Sequence, residues 1–357
     1  MTQLSRFQTA LAAKEADAAI ISSKLNIRYL CGFAYTDGYL LIFPDKAYLL
    51  ADSRYIEAAR MAVTDFEVIQ PEGNMITALY AILQENRASA AIVEDASLSC
   101  AELANMREKM KDVTLEFGAS EILREQRAVK LAYELELIEK AQRITDAAFE
   151  HILGFITPSV TEREVALELE FFMRRMGAQT TAFNTIAVSG SSSSLPHGVP
   201  ADKKLSRGFL TMDFGAKYCG YCSDMTRTVV IGRADADMKR VYDTVLSAQR
   251  AALDKICEGI SCREADSTAR DVISAAGFGK NFGHSLGHGV GMYIHESPNL
   301  SPRAPDHSVL RRGNVVTVEP GIYIEGTYGC RIEDMIAIDL DGNVRNFTHS
   351  PKELLEL

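Results

Sequence analysis

The sequence predicts an α/β amino-terminal unit over residues 1–123, followed by an α+β unit over residues 124–357 that runs one plan twice. Three observations predict this. Short runs of β-forming residues alternate with helical stretches through the first third of the chain. Two helix-start signals of the form Ser/Thr-x-x-Glu stand 100 residues apart, at Thr161–Glu164 and Ser261–Glu264. Each leads into a helical stretch and then a strand-rich segment with a pair of acidic residues set symmetrically about its middle.

In the amino-terminal unit, strands are predicted at Ala18–Ser22, Tyr39–Phe43, Ala47–Ala51, Phe66–Ile69 and Ala91–Val93. Pro44-Asp45 supplies a hairpin turn between two of them. Helices are predicted at Arg54–Ala62 and Ile76–Gln84. This unit carries no cluster of chemically useful residues, so its expected role is to position substrate or mediate assembly. The charged stretch Arg124–Lys130 is expected to be a linker. Beyond it Leu137, Ala141, Ile144, Ala148 and Ile152 recur at helical spacing. The first half continues with a helix from Thr161 to about Arg175 and a strand-rich segment, Phe209–Ile231. The second half has a helix from about Asp237 to Ile256, a helix from Ser261 to about Ala276, and a strand-rich segment, Val315–Ile338.

Length and composition bound the function. A chain of 357 residues has room for two domains, and 47% hydrophobic residues suffice for large cores. The net charge of −10 excludes a nucleic-acid partner, which needs clustered Lys and Arg. No apolar run approaches the ~18 residues that cross a bilayer, so no membrane association is expected. Met1–Ile20 lacks the apolar stretch of a signal peptide, and the chain is expected to be cytoplasmic. The seven cysteines are odd in number and scattered, which fits a reducing compartment. Cys219-Gly-Tyr-Cys222 has no second C-x-x-C to complete a zinc set, so it reads as two ordinary cysteines beside a turn.

The chemistry lies in the two strand-rich segments. Asp213 and Asp224 stand symmetrically about Tyr218-Cys219. A turn there would set the carboxylates opposite each other, where Cβ atoms are ~4.5–5.5 Å apart. Like charges that close call for a cation. Glu319 and Glu333 stand in the same way about Gly326, with Pro320 expected to break or bulge its strand. Between the segments lies Gly283-His284-Ser-Leu-Gly-His288-Gly-Val-Gly291, then His295. Three of the chain's seven histidines fall within this short run, and its glycines would admit a ligand close to the backbone. The glycine spacing is wrong for a dinucleotide loop. Four carboxylates and the imidazole of His288 form an oxygen-rich site for Mn²⁺, Co²⁺, Fe²⁺ or Zn²⁺. Four negative charges balance two dications, which at ~3.5–4 Å apart can generate hydroxide and clamp a tetrahedral intermediate.

These residues also carry a family resemblance. Pro196-His197-Gly198, Asp213-x-Gly215, Gly220-Tyr-x-Ser-Asp224-x-Thr-Arg-Thr228 and Gly329-x-Arg331-Ile-Glu333-Asp334 resemble the motifs of the pita-bread metallopeptidases: prolidase, aminopeptidase P and methionine aminopeptidase. The resemblance covers residues 125–350, and the amino-terminal unit resembles the extra domain of prolidase, aminopeptidase P and creatinase. It implies a creatinase/aminopeptidase-like catalytic domain with an internal pseudo-twofold duplication. It implies two divalent metal ions per chain, with manganese preferred. Asp213 would chelate one metal, His288 and Glu319 the other, and Asp224 and Glu333 would bridge them. A water or hydroxide between the metals would attack the scissile carbonyl, with Glu319 taking its proton and His295 bonding the carbonyl oxygen. His197 and His284 would line the substrate side. Arg331, two residues before Glu333 and so on the same strand face, would orient that carboxylate. The implied activity is cleavage ahead of proline at the amino end of short peptides, by a homodimer.

The complete ligand set separates the chain from creatinase, which has no metal site, and from relatives that became non-catalytic binding proteins. The amino-terminal unit separates it from methionine aminopeptidase. Many prolidase-like sequences read His-Glu-x-Pro-Arg, and that Arg can meet the free carboxylate of a dipeptide. Here the run is His295-Glu-Ser-Pro-Asn299, with Arg303 the next Arg downstream. Asn does not reproduce bidentate carboxylate binding, so an aminopeptidase taking longer peptides is expected over a dipeptidase.

Overall fold

The structure, a computed structural model, describes residues 1–34 and 37–357. The chain divides into two compact units, Met1–Gln126 and Arg127–Leu357.

The first unit is a six-stranded mixed sheet flanked by helices. In chain order its elements are α1 (Gln3–Ala12), β1 (Ala18–Ile21), α2 (Lys24–Cys31), β2 (Gly38–Ile42), β3 (Ala47–Ala51), α3 (Ile56–Ala62), β4 (Glu67–Ile69), α4 (Met75–Glu85), β5 (Ala90–Val93), α5 (Cys100–Lys109), β6 (Thr114–Phe117) and α6 (Ala119–Ala128). The sheet order is β4-β3-β2-β1-β5-β6. β1 is central because Ala18–Ile21 is apolar throughout and so can be covered on both faces. It pairs parallel with β5 and antiparallel with β2. The hairpin of β2 and β3 turns at Pro44-Asp45 as predicted, closed by Phe43 N donating to Lys46 O at 2.8 Å. The sequence reading missed α1, α2, α5 and β6. α5 opens with a capping box, Ser99–Glu102, of the kind recognised elsewhere in the chain. The expected linker at Arg124–Lys130 is corrected: it is helical through Ala128, because Ile122, Leu123 and Gln126 form a buried stripe beneath the charged residues.

The second unit repeats a helix pair followed by a two-tiered hairpin. The first copy has α7 (Ala132–Phe155), α8 (Glu162–Arg175), β7 (Thr180–Thr181), β8 (Ile186–Ser189), β9 (Gly208–Phe214), β10 (Ala216–Tyr218), β11 (Tyr221–Cys222) and β12 (Met225–Ile231). The second has α9 (Ala236–Lys255), α10 (Cys262–Ala275), β13 (Gly287–Gly289), β14 (Glu296–Leu300), β15 (Val315–Val318), β16 (Gly321–Ile324), β17 (Tyr328–Arg331), β18 (Asp334–Ile338) and β19 (Val344–Asn346). Thr161 and Ser261 cap α8 and α10 through the backbone N–H groups of Glu164 and Glu264. Only the first box closes reciprocally, with Glu164 accepting from Thr161 N at 2.7 Å. Glu264 lies instead 3.3 Å from Lys255. Each helix pair packs its apolar stripe on its own hairpin. Ile144, Ala148 and Leu169 meet Leu210, Met212 and Val229, while Val241, Val245 and Ala269 meet Val316, Val318 and Ile336.

In both copies an inner ladder is interrupted and resumes as a tip ladder. β9–β12 gives way to β10–β11, and β15–β18 gives way to β16–β17. The interruptions hold the acidic residues.

Candidate metal centre

The second hairpin has the predicted register. Val318 pairs with Asp334 and Gly321 with Arg331, so Glu319 and Glu333 lie opposite each other in the break beside Pro320. Proline supplies no ladder donor, which is why the strand is interrupted there. The first hairpin corrects the expectation. Its turn is Cys219-Gly220, both left-handed at φ 48 and 92, as a two-residue hairpin turn requires. The register is therefore shifted. Asp213 pairs with Thr226, and Asp224 falls across from Gly215. The two aspartates share a face but are diagonal neighbours rather than directly opposed. A Cβ at Gly215 would sit 1.9 Å from Ser223 O, so this crossing of the strands admits only glycine.

His288 lies on β13, a strand that the sequence reading did not assign. Its flanking glycines serve strand contact, and Gly287 also lines the cavity beside His288. A Cβ at Gly287 would meet Thr317 O at 1.9 Å, and one at Gly289 would meet Ser297 O at 2.3 Å. β13 can thus be squeezed between β14 and β15.

Asp213, Asp224, His288, Glu319 and Glu333 line one cavity of about 1090 Å³, together with His197, His284, His295 and Arg331. All nine predicted site residues are brought together. Ligand atoms of Asp224, His288 and Glu333 lie within 4.8 Å of one another. His288 Nε2 is 3.5 Å from Asp224 Oδ2 and 3.3 Å from Glu319 Oε1.

The protonation pattern favours a cation among these groups. His288 Nδ1 lies 3.1 Å from the carbonyl of Gly289. A carbonyl only accepts, so Nδ1 carries the proton and Nε2 presents its lone pair to two carboxylate oxygens. Burial lowers the His288 pKa, which keeps the ring neutral. Burial raises the Asp224 carboxyl well above its usual range, and the charges of Glu333, Asp213 and Glu319 add to this. Glu333 is raised by burial and then by Glu319 and Asp213, and Glu319 by burial first. Asp213 Oδ1 is buried with no hydrogen-bond partner among the described residues. Lone pairs turned inward, an orphaned oxygen and crowded carboxylates fit divalent cations with hard ligand preferences.

Supporting side chains tie the hairpins together. Thr226 Oγ1 donates to Glu333 Oε2 at 2.7 Å, and Glu333 N donates to Thr226 O at 3.1 Å. Thr317 Oγ1 donates to Glu319 Oε1 at 3.0 Å. Arg331 corrects its expected role: Nη2 holds Asp213 Oδ2 at 2.5 Å, and it is Thr226 that orients Glu333. Arg331 also donates to Tyr323 Oη at 2.7 Å. His284 Nδ1 must donate to Ser285 O at 2.8 Å, so its Nε2 accepts from the Tyr323 hydroxyl at 3.0 Å. The sequence reading missed Thr226, Thr317 and Tyr323. All three were findable, since they stand two or four residues from Asp224 and Glu319 on alternating strands. Phe183, from a loop, and Lys280, from a one-turn 3-10 helix, also line the cavity and carry no such signal.

Acidic residues crowded about an inward-facing imidazole, at the edge of a substrate-sized cavity, define a metal-dependent enzyme site. Residues 136–339 match metallopeptidase family M24, and residues 3–129 match the creatinase/prolidase N-terminal domain. The chain belongs to metallopeptidase family M24. It is 43% identical to the uncharacterized peptidase YqhT of Bacillus subtilis over 96% of both chains. Its structure is similar to an Xaa-Pro dipeptidase from Bacillus anthracis, with a TM-score of 0.95 and 40% identity over 99% of each chain. It is also similar to an X-Pro aminopeptidase from Thermotoga maritima, with a TM-score of 0.91 and 34% identity over 99% of this chain and 100% of that one. The fold is the creatinase-type amino-terminal domain joined to a pita-bread catalytic domain, as the resemblance implied. Among the described residues no helix is long and apolar enough to cross a membrane.

Proposed function

We propose that this chain hydrolyses the peptide bond preceding proline at the amino end of short peptides, using two divalent cations. The observation that carries this is the similarity, over 99% of both chains, to an Xaa-Pro dipeptidase. The site supports it. Asp213, Asp224, His288, Glu319 and Glu333 would hold the cations. Cations so held lower the pKa of a bound water and polarise a carbonyl. Glu319 Oε1 is occupied by Thr317 and faces His288, which leaves Oε2 to take a proton. His295 is held neutral by burial and by the neighbouring His288 and His197, so it keeps one N–H to donate to the carbonyl oxygen.

The preference for longer peptides that Asn299 suggested gains no support from the comparisons, since both kinds of peptidase are similar to this chain. A dipeptide presents its carboxylate inside the cavity. Asn299 lines that cavity, whereas Arg303 is not part of its lining. Lys280, an exposed residue, also lines it. We therefore favour Xaa-Pro dipeptides, with Lys280 meeting the carboxylate. The test is a comparison of Xaa-Pro with Xaa-Pro-Yaa substrates in defined metals, for the unmodified chain and Lys280→Ala. The variant should raise KM for dipeptides by roughly two- to fivefold and leave tripeptides unchanged. Faster cleavage of tripeptides by the unmodified chain would restore the aminopeptidase reading. Failure to cleave either substrate would refute the proposal.

A further inference from the structure

Among the described residues the His295 side chain makes no hydrogen bond; its ring packs edge-on against His288, with centroids 4.3 Å apart. What else fixes it acts through the backbone of its loop, residues 290–295, which leads into Glu296 at the start of β14. That loop folds back on the side chain of Glu296. Tyr293 N donates to Glu296 Oε1 at 3.0 Å. A Cβ at Gly291 would lie 2.5 Å from Glu296 Oε2, so a side chain there would push the carboxylate aside. The start of the loop is pinned separately, by Val290 N to Val315 O at 3.0 Å and Cys222 N to Gly291 O at 2.8 Å.

The Glu296 carboxylate is itself clamped. Its side chain is 2% exposed. Arg127 Nε donates to Oε1 at 3.1 Å, and Lys130 Nζ faces Oε2 at 3.5 Å, an ion pair without a hydrogen bond, from a side chain that is 1% exposed. Lys130 is fixed in turn by its backbone N–H, which donates to Gly313 O at 2.8 Å. A buried ammonium and carboxylate are expensive to desolvate, and an apolar pair of the same volume would serve stability as well or better. None of the three residues lines the cavity or holds a carboxylate of the metal centre. The arrangement is explained by geometry: two cations from residues 127–130 grip the residue next to His295.

We propose that Glu296, gripped by Arg127 and Lys130, is a positioning residue that sets the imidazole of His295 against the reacting carbonyl. This rests on the reading of His295 as donor to the carbonyl oxygen. Misplacing such a group by about 1 Å lowers turnover by roughly 10–100-fold.

The test uses the metal-loaded full chain and four variants: Lys130→Met, Arg127→Met, His295→Ala and the double variant His295→Ala/Lys130→Met. Lys130→Met should lower kcat by about 10–100-fold with KM and metal content unchanged. In the His295→Ala background the same substitution should lower kcat no further, because the group it positions is gone. In protein labelled with nitrogen isotope at histidine, the His295 ring signal should move in Lys130→Met while that of His197 stays. Equal losses from Lys130→Met in both backgrounds, or an unmoved His295 signal, would overturn the proposal. Full turnover in His295→Ala would instead overturn the role given to His295, and the ring signal would still decide the positioning. If Lys130→Met does not fold, Arg127→Met carries the same predictions.

Discussion

The two hairpins of the catalytic unit start from one plan and differ in register. In the second, Glu319 and Glu333 face each other directly across the break. In the first, the Cys219-Gly220 turn leaves Asp213 and Asp224 diagonal. Neither hairpin is complete alone. Asp213 of the first is held by Arg331 of the second, and Glu333 of the second by Thr226 of the first. The difference teaches that the duplicated plan supplies the acidic residues in pairs, while the seam between the copies aims them. Symmetry therefore predicts which residues meet, and cross-contacts decide how.

The largest way to break this arrangement is at Arg227. It is 1% exposed, bonds Asp334 Oδ1 at 2.8 Å and also donates to the backbone of Glu333, Ser350 and Pro351. Arg227→Met removes one partner of a buried pair and should cost about 3–5 kcal/mol of stability. Lys352 Nζ, 2.6 Å from Asp334 Oδ2, keeps the value toward the lower end. Denaturant unfolding with an unchanged m-value measures it. A loss below about 0.5 kcal/mol, the scale of an ordinary surface change, would mean the seam is held elsewhere.

Next come the reciprocal ties. Arg331→Lys and Thr226→Val should each lower metal affinity or kcat by roughly 10–100-fold, as outer ligand supports do. Arg331 should lie at the upper end, because its guanidinium holds Asp213, Tyr323 and Thr226 at once and Lys cannot reproduce that fork. Titration calorimetry and steady-state kinetics read the two effects. Equal losses would mean that the diagonal pair needs no more support than the opposed pair, and the comparison would fail.

Much of this was legible because strands have a period of two and hairpins have a mirror. Glu319 and Glu333 could be placed opposite each other from Gly326 alone. Asp213 and Asp224 could be paired but not set in register, because the register depended on whether Cys219 would accept a left-handed conformation. That is rare for a residue with a Cβ. The glycines around His288 were visible, but the strand contacts they permit were not, since their neighbours Thr317 and Ser297 are distant in sequence or across a bulge. The link from Arg127 and Lys130 to Glu296 was not legible. A charged run reads as solvated until the fold shows what it faces, and Lys130 is buried.

The last prediction isolates the tension among the carboxylates. In chelated protein, burial and neighbouring charge raise the Asp224 carboxyl well above its usual range. Between the usual carboxylate range and that raised value, the native state binds a proton that the unfolded chain has released. Stability therefore falls as pH rises through this window, by about 1.4 kcal/mol per pH unit for one proton. The lowered histidines, His284, His288 and His295, act oppositely below their usual range, since the unfolded chain then binds the extra proton. Asp224→Asn cancels that background: its histidines remain, and it has no carboxyl to titrate at this position. The chelated variant should match the chelated parent at low pH and become more stable than it as pH rises. Adding Mn²⁺ should reverse the order, because metal favours the parent's carboxylate and protons compete for it less at high pH. Thermal melts of both proteins from pH 5.5 to 8, chelated and Mn²⁺-loaded, measure this. Parallel curves for the chelated pair would show that Asp224 carries no strained charge, and that the first hairpin tolerates its aspartates without a cation.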